Sequence, residues 1–233
     1  MPAVTLYELA GADPGLRFSP YCWRSRLALA HKGLAATTVA WHYHEREALS
    51  FSGQDRVPVL IDGETIVADS WAIAVYLDKH YPERPQLFGG DPGAVRFINT
   101  WTDSVLHPAL LRVVLLDIYA VIDARDRDYF RSSRERRYGA SLEAYCADRA
   151  AHLAGLTTVL VPLETLLAQQ PYLAGDRPAY ADYIVAGTFQ WIRCIGGPPL
   201  GTPGGPVEVW WQRMLDAFDG LLRRAPARHR AAA

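Results

Sequence analysis

The sequence predicts a small α/β domain with a mixed sheet, followed by an all-helical domain. Two observations lead to this fold class. In the first 86 residues, strand and helix signals alternate in the order strand–helix–strand and then strand–strand–helix. Beyond residue 92, apolar residues recur only at helical spacing. We therefore expect domains over residues 1–86 and 92–225, with the Gly- and Pro-containing segment Leu87–Pro92 as a linker.

The elements of the first domain follow from local signals. Gly33 is a suitable residue to end the first helix, and Pro82 ends the second. Asp62-Gly63 is a typical two-residue turn, so the apolar residues on either side predict a hairpin. The predicted strands are Val4–Leu9, Thr37–His42, Val57–Ile61 and Thr65–Ala68, and the predicted helices are Pro20–His31 and Trp71–Tyr81.

The second domain is predicted to contain five helices. Breakers at Pro171, at Gly175 and throughout the Gly/Pro-rich run 196–206 separate the later ones, and the tail Arg223–Ala233 is expected to fray. The predicted helices are Val95–Tyr119, Leu142–Leu156, Thr158–Gln169, Tyr180–Cys194 and Val207–Leu222.

Charge and composition narrow the possible partners. With 24 basic and 25 acidic residues the net charge is −1, which gives no electrostatic basis for binding nucleic acid. The cluster Arg131, Arg134, Arg136 and Arg137 predicts a solvated helix face, with an anion or partner site as the alternative. We find no signal-peptide pattern and no apolar run that approaches the length of a membrane span, so no membrane partner is expected.

The cysteine and histidine patterns favour a reducing compartment and no metal. The three cysteines are odd in number and widely spaced, so a disulfide framework is not expected and the cytoplasm is the predicted location. His42 and His44 lie beside Glu45, but nothing downstream completes a zinc site.

The stretch Phe18–Cys22 carries the main chemical signal. Ser19 precedes a proline at a predicted helix start, where exposed N–H groups and the helix dipole favour an anion. Ser19-Pro20-Tyr21-Cys22 is also a Cys-x-x-Cys redox turn, typical of thioredoxin-like folds, in which serine replaces the first cysteine. Without the attacking thiol, the protein is expected to act on the thiolate of another molecule, and glutathione is the leading candidate.

Three further motifs appear in order after Ser19. They are Val57-Pro58 before the hairpin, Asp69-Ser70 at a helix start, and Gly175–Tyr183 in the second domain. Together they resemble the cytosolic glutathione S-transferase family, which joins a thioredoxin-like N-terminal domain to an all-α C-terminal domain. The stretches Phe18–Arg24, Asp126–Glu135 and Ala181–Tyr183 are similar to the bacterial β-etherase branch, which cleaves lignin aryl ethers with glutathione.

The resemblance implies a set of glutathione ligands. Ser19 would donate a hydrogen bond to the glutathione sulfur, with the strand residue Tyr7 as the alternative activator. Val57 would pair its backbone with the cysteinyl residue of glutathione, ahead of a cis bond to Pro58. Arg56 is either a carboxylate ligand or plain surface charge. At the next helix start, Asp69 and Ser70 would hold the γ-glutamyl group, and one of them caps the helix.

A second group of expectations concerns the helical domain. The electrophile pocket should lie between the domains and be lined by the first helical hairpin and the Gly/Pro-rich loop. Cys22 is expected to fill space in the interior. Asp182 resembles the family's buried capping aspartate, but Ala179 leaves its capping box half-empty. The candidates for the pocket lining are Trp101, His107, Leu111, Tyr119, Trp191 and Pro199.

The predicted function is a glutathione-dependent transferase or lyase that acts on a hydrophobic, aromatic electrophile. Three alternatives stay open: a glutathione-dependent isomerase or biosynthetic lyase, a non-catalytic binding protein on the same scaffold, and a thiol other than glutathione. The family also implies a homodimer.

Overall fold

The computed structural model describes residues 4–89 and 92–228, which form a four-stranded sheet with two helices followed by helices alone. The predicted fold class is confirmed: a thioredoxin-like domain precedes a helical domain. Residues 90–91 of the linker, residues 229–233 of the tail and residues 1–3 of the first domain lie outside the described residues. The two domain boundaries stay a prediction.

The sheet is mixed and has the order β2-β1-β3-β4. β1 pairs in parallel with β2 (Leu6 opposite Thr38) and antiparallel with β3 (Leu6 opposite Leu60). Strand bounds differ from the predicted ones by up to two residues. The elements are β1 (Val4–Leu9), α1 (Pro20–His31), β2 (Ala36–Trp41), β3 (Val59–Asp62), β4 (Thr65–Ala68) and α2 (Ser70–His80), with a 3₁₀ segment at Arg46–Ser52.

The helical domain contains seven further α-helices within the described residues. A π-helical segment, Thr102–Leu106, joins the first two into one long helix, and a 3₁₀ turn, Ala124–Asp126, precedes the third. The last helix is kinked at residues 217–220. The helices are α3 (Gly93–Trp101), α4 (His107–Val121), α5 (Arg127–Tyr138), α6 (Leu142–Tyr145), α7 (Arg149–Leu167), α8 (Tyr180–Cys194) and α9 (Pro206–Arg224).

The prediction of a break between two helices at residues 156–158 is wrong, because α7 runs unbroken from Arg149 to Leu167; the break lies earlier, between Tyr145 and Arg149. Gly155 lies inside α7. The helix buries Leu156, Leu160, Leu163 and Leu167, which recur at helical spacing and make one continuous apolar face. Packing of this face outweighs the weak helix propensity of glycine.

Close packing of α8 on α1 positions the first turn of α1. A Cβ on Gly187 would lie 2.6 Å from the Pro20 carbonyl oxygen, so only glycine allows this approach. In the next turn of α1, Trp23 is buried and donates its indole N–H to the Arg17 carbonyl at 2.9 Å. The first turn of α1, which follows Ser19, is therefore packed against the helical domain.

Asp182 ties the start of α8 to two other segments, as predicted. Its carboxylate is fully buried and accepts N–H groups from Leu173 (2.8 Å), Ala174 (3.2 Å) and Ala179 (3.1 Å), and from the Trp210 indole (2.9 Å). Ala179, at the N-cap, offers no side-chain acceptor in return, so the capping box is half-empty.

Two helical segments are long and apolar enough to cross a membrane by length and composition, contrary to the expectation from the sequence. They are Gly93–Val121 and Arg149–Leu167. The most apolar 18 residues of the first have a mean hydropathy of 1.6 and are 44% buried, and those of the second have a mean hydropathy of 1.4 and are 22% buried. Core helices of other proteins pass the same test, so this is weak evidence for a membrane. The absence of a membrane partner stays a prediction.

Candidate functional site

A cavity of about 820 Å³ lies between the two domains and contains most of the predicted site residues. One wall is formed by the loops before α1 and β3 and by the end of β4, and the other by α4, α5 and α6. A larger opening of about 970 Å³ lies near Gln86 and Ala179, but none of the predicted glutathione ligands line it. We therefore assign the candidate site to the smaller cavity.

Ser19 is the N-cap of α1 and lines this cavity. Its Oγ accepts the Cys22 N–H at 3.3 Å, and accepting a hydrogen bond leaves the hydroxyl proton available to donate. Pro20 occupies the first helical position. Ser19 thus presents a hydroxyl donor to the cavity, beside the positive end of a helix.

Cys22 and Tyr7 do not line the cavity. The Cys22 side chain is fully buried, as predicted, and burial raises the pKa of its thiol to about 12. The thiol is therefore protonated at neutral pH and is a poor nucleophile. Tyr7 packs its ring against Phe51, with 5.3 Å between centroids.

Arg56, Val57 and Pro58 form one edge of the cavity. The bond between Val57 and Pro58 is cis, as predicted. Within the described residues, neither the N–H nor the C=O of Val57 has a hydrogen-bond partner. This edge can therefore pair with an extended peptide, as an added strand does. The Arg56 side chain is 81% exposed and lies 3.3 Å from the Asp55 carboxylate.

Asp69, rather than Ser70, caps α2. Its Oδ1 accepts the N–H groups of Trp71 (2.9 Å) and Ala72 (3.0 Å), and its φ is +79°. Ser70 is only 2% exposed and does not line the cavity, and its carbonyl accepts the Tyr180 hydroxyl at 2.7 Å. Of the six predicted glutathione ligands, the cavity brings together Ser19, Arg56, Val57, Pro58 and Asp69.

The predicted electrophile lining is partly wrong. His107, Leu111 and Trp191 line the cavity, whereas Trp101 and Tyr119 do not. Trp101 packs half-buried on the hydrophobic core. The Tyr119 ring lies beneath the Arg131 guanidinium, 4.9 Å from it. Helical position alone does not show which neighbour covers a given face.

The Gly/Pro-rich loop, including the exposed Pro199, also stays away from the cavity. Glu164 of α7 holds this loop by accepting the N–H groups of Thr202 at 3.0 Å and Val207 at 3.1 Å. Residues of α5 and of the end of α6 line the cavity where the Gly/Pro-rich loop was expected. The residues involved are Tyr129, Phe130, Arg134, Arg137, Tyr138 and Tyr145.

The prediction that the four arginines of α5 form a solvated helix face is therefore wrong for two of them. Arg134 and Arg137 line the cavity. Arg131 makes ion pairs with Glu135 at 3.0 Å and Glu143 at 2.8 Å.

A polar network around His107 was not predicted. The Thr188 hydroxyl donates to the Ile184 carbonyl at 3.3 Å, so its oxygen accepts the His107 Nε2–H at 2.8 Å. This assigns the tautomer and leaves Nδ1 as an acceptor, 3.4 Å from the Tyr21 hydroxyl. Burial lowers the pKa of His107 well below its usual value, so the imidazole is neutral.

One acidic and one basic residue, Asp103 and Arg24, complete this network. Asp103 Oδ1 accepts a hydrogen bond from the Arg24 guanidinium at 2.8 Å, and the same oxygen lies 3.7 Å from His107 Nδ1. Tyr21, Asp103 and His107 all line the cavity. The spacing of Asp103 and His107, four residues apart on one helix, is a sequence signal that could have revealed the pair.

His42, His44 and Glu45 form a cluster whose ligand atoms lie within 4.8 Å of one another, a spacing that suits a metal ion. Both ring nitrogens of His42 already have partners, the Glu45 carboxylate at 2.9 Å and the Gly11 carbonyl at 3.0 Å. His44 Nδ1 is bound to Asp126 at 2.8 Å. The expectation of no metal stays a prediction.

Comparisons with known proteins point to one family. The model described as "Glutathione S-transferase, N-terminal domain" matches residues 14–85, and "Glutathione S-transferase, C-terminal domain" matches residues 95–220. Glutathione S-transferase F10 of Arabidopsis thaliana is 25% identical over 203 residues, 82% of this chain and 86% of that protein. Glutathione S-transferase 1 of Dianthus caryophyllus is 38% identical over 74 residues, 30% of this chain and 34% of that protein.

Solved structures give the same result for the fold. A glutathione S-transferase of Ceriporiopsis subvermispora, in complex with glutathione, superposes with a TM-score of 0.79 at 24% identity, covering 97% of this chain and 100% of that one. Glutathione transferase GSTFuA3 of Phanerochaete chrysosporium superposes with a TM-score of 0.69 at 27% identity, covering 94% of this chain and 92% of that one.

Proposed function

Because this chain belongs to the glutathione S-transferase family, we propose that it binds glutathione in the inter-domain cavity and adds its thiolate to an aromatic electrophile. The observation that carries the proposal is the pairing of two features in one cavity. The Ser19 hydroxyl caps α1 there, and the unpaired backbone of Val57 lies on the adjoining edge.

Glutathione is a tripeptide, and the cavity offers complementary groups along its length. The N–H and C=O of Val57 would pair with the cysteinyl residue. Asp69 would accept the γ-glutamyl ammonium, while Arg56 is a candidate for a carboxylate. Ser70 is buried and lies outside the cavity lining, so it is not among these groups.

Ser19 would stabilise the thiolate by donating its hydroxyl proton to the sulfur. A free thiol has a pKa of about 8.5, and lowering it by about two units needs about 2.7 kcal/mol of preference for the charged form. A hydrogen bond to a charged group contributes about 1.5–3 kcal/mol. A helix N-terminus adds about 0.3–1 kcal/mol. These two effects suffice without a catalytic base.

The part of the cavity that is lined by the helical domain favours an aromatic substrate. Trp191, Leu111 and the tyrosines of α5 and α6 offer apolar and stacking surface. In the β-etherase-like version of the reaction, the sulfur bonds to the carbon that bears the aryloxy group. The carbon–oxygen bond breaks, and its electron pair leaves on the phenolate oxygen. The Tyr21 hydroxyl lines the same cavity and would stabilise this oxygen by turning its one proton from His107 Nδ1, 3.4 Å away, towards the leaving group.

The test compares reaction classes in the wild type and two variants. We expect thioether formation with a β-aryl ether or a chlorodinitroarene to exceed reduction of hydroxyethyl disulfide, and Ser19→Ala to lower it at neutral pH. A mixed-disulfide pathway needs a protein thiol, and Cys22 is the cysteine nearest Ser19. Faster disulfide reduction that is abolished by Cys22→Ala and retained in Ser19→Ala would refute the proposed nucleophile and reaction class.

Assembly as a homodimer follows from the family assignment and location in the cytoplasm from the cysteine pattern; both stay predictions.

A further inference from the structure

The geometry of α5 points to a substrate class: aromatic electrophiles that carry an anionic group, bound by Arg134 and Arg137. This inference rests on the proposed function and specifies which electrophiles the cavity selects. The two arginines are three residues apart, so they lie one helical turn from each other, and both line the cavity.

Neither arginine is neutralised by the protein. Within the described part of the chain, neither makes an ion pair with a carboxylate, whereas Arg131 on the same helix pairs with Glu135 and Glu143. The half-buried Arg134 donates to the Ser133 hydroxyl at 2.8 Å and stacks over the Phe130 ring at 4.5 Å. Its charge is therefore held in place but not compensated.

The acidic residues of the cavity have other partners. Asp103 accepts hydrogen bonds from Arg24 and Asn99, and Asp69 accepts two N–H groups of α2. Asp55 lies beside Arg56. The α5 side of the cavity thus retains a net positive charge, which an anionic substrate would compensate.

Aromatic rings adjoin the two arginines. Tyr138 and Tyr145 stack with centroids 4.1 Å apart at an interplanar angle of 18°, and Phe130 lies under Arg134. A substrate ring would stack on this surface while its carboxylate meets a planar guanidinium, which can bind both oxygens. Arg134 is half-buried, so a pair with it is stronger than one in open solvent, whereas Arg137 is exposed and its pair is weaker.

The test uses two electrophiles that differ only in charge, 4-chloro-3,5-dinitrobenzoate and its methyl ester. For each, kcat/KM is divided by the rate of the uncatalysed reaction with glutathione, because the ester activates the ring more strongly. We expect the normalised kcat/KM of the wild type to be higher for the carboxylate than for the ester, so that the ratio of the two exceeds one. This ratio should fall about tenfold in Arg134→Gln, as expected for loss of a charged hydrogen bond, and by about two- to fivefold in Arg137→Gln, whose side chain is exposed.

Arg136→Gln is the matched control, since Arg136 is exposed on the same helix and does not line the cavity. This variant should keep the wild-type ratio, and all three should keep the wild-type KM for glutathione. An unchanged ratio in Arg134→Gln and Arg137→Gln would overturn the inference. So would a raised KM for glutathione with both electrophiles, because the arginines would then bind the glycyl carboxylate of glutathione.

A binding measurement separates this inference from the proposed function. If the wild type turns over neither electrophile, the proposed transferase activity fails, and the unreactive pair 3,5-dinitrobenzoate and methyl 3,5-dinitrobenzoate then decides the inference. Trp191 lines the cavity, so quenching of tryptophan fluorescence reports binding. Tighter binding of the carboxylate, reduced in Arg137→Gln and kept in Arg136→Gln, supports the anionic subsite. Equal binding of both compounds overturns it.

Discussion

Replacing Ser19 by alanine removes one hydroxyl that has two separable roles. The first is the proposed one, donation of a hydrogen bond to the glutathione thiolate, for which about 1.5–3 kcal/mol is typical. Since 1.36 kcal/mol corresponds to one pKa unit, the pKa of bound glutathione should rise by about one to two units. The second role is the cap on α1, where the Cys22 N–H is accepted at 3.3 Å. Alanine at an N-cap lowers the free energy of unfolding by about 1 kcal/mol.

Two measurements distinguish these roles. The ultraviolet absorbance of the bound thiolate, titrated with pH, gives the pKa of glutathione, and urea denaturation gives the free energy of unfolding. Ser25→Ala is the control, because Ser25 is buried in α1, donates to the Tyr21 carbonyl at 3.4 Å and does not line the cavity. It should leave the thiol pKa unchanged. If Ser19→Ala also leaves the pKa unchanged while destabilising the fold, Ser19 only caps the helix, and Tyr7 is tested next.

Four further predictions concern stability and assembly. Asp182→Ala removes the acceptor of four N–H donors, of which those of Leu173 and Trp210 are buried, and should lower the free energy of unfolding by at least about 2 kcal/mol in urea denaturation, at about 1 kcal/mol for each buried donor. Ala179→Ser should raise the free energy of unfolding by about 1 kcal/mol, because serine supplies the missing N-cap acceptor. No change in the free energy of unfolding of either variant would contradict the capping argument. The lowered pKa of His107 means that the unfolded chain takes up a proton below about pH 6.5 while the native imidazole stays neutral. Stability should therefore fall with decreasing pH, and less steeply in His107→Gln; parallel profiles would refute this. Light scattering should give about 52 kDa, twice the 25.9 kDa chain, and a monomer alone would exclude the dimer.

Local signals determined most of the first domain and the start of the site. Ser19-Pro20 marks the beginning of α1 because a serine oxygen and a missing N–H satisfy a helix terminus whatever lies further away. Asp62-Gly63 likewise specifies the hairpin, since glycine supplies the positive φ of the turn. The family resemblance predicted the buried capping role of Asp182, and its bond to Ala179 is local, whereas its bond to Trp210, 28 residues away, depends on packing.

Only the tertiary structure decided which side chains meet in the cavity. Periodicity shows that a helix has an apolar face, but it does not say which neighbour covers that face. Tyr119 therefore lies under Arg131, while Arg137 lines the same cavity as Ser19, more than a hundred residues away in sequence. The continuity of α7 through Gly155 has the same origin, since burial of its leucines outweighs a local preference of about 1 kcal/mol. Caps and turns act between near neighbours and are encoded locally, whereas the cavity depends on packing between distant segments, which the order of residues does not display.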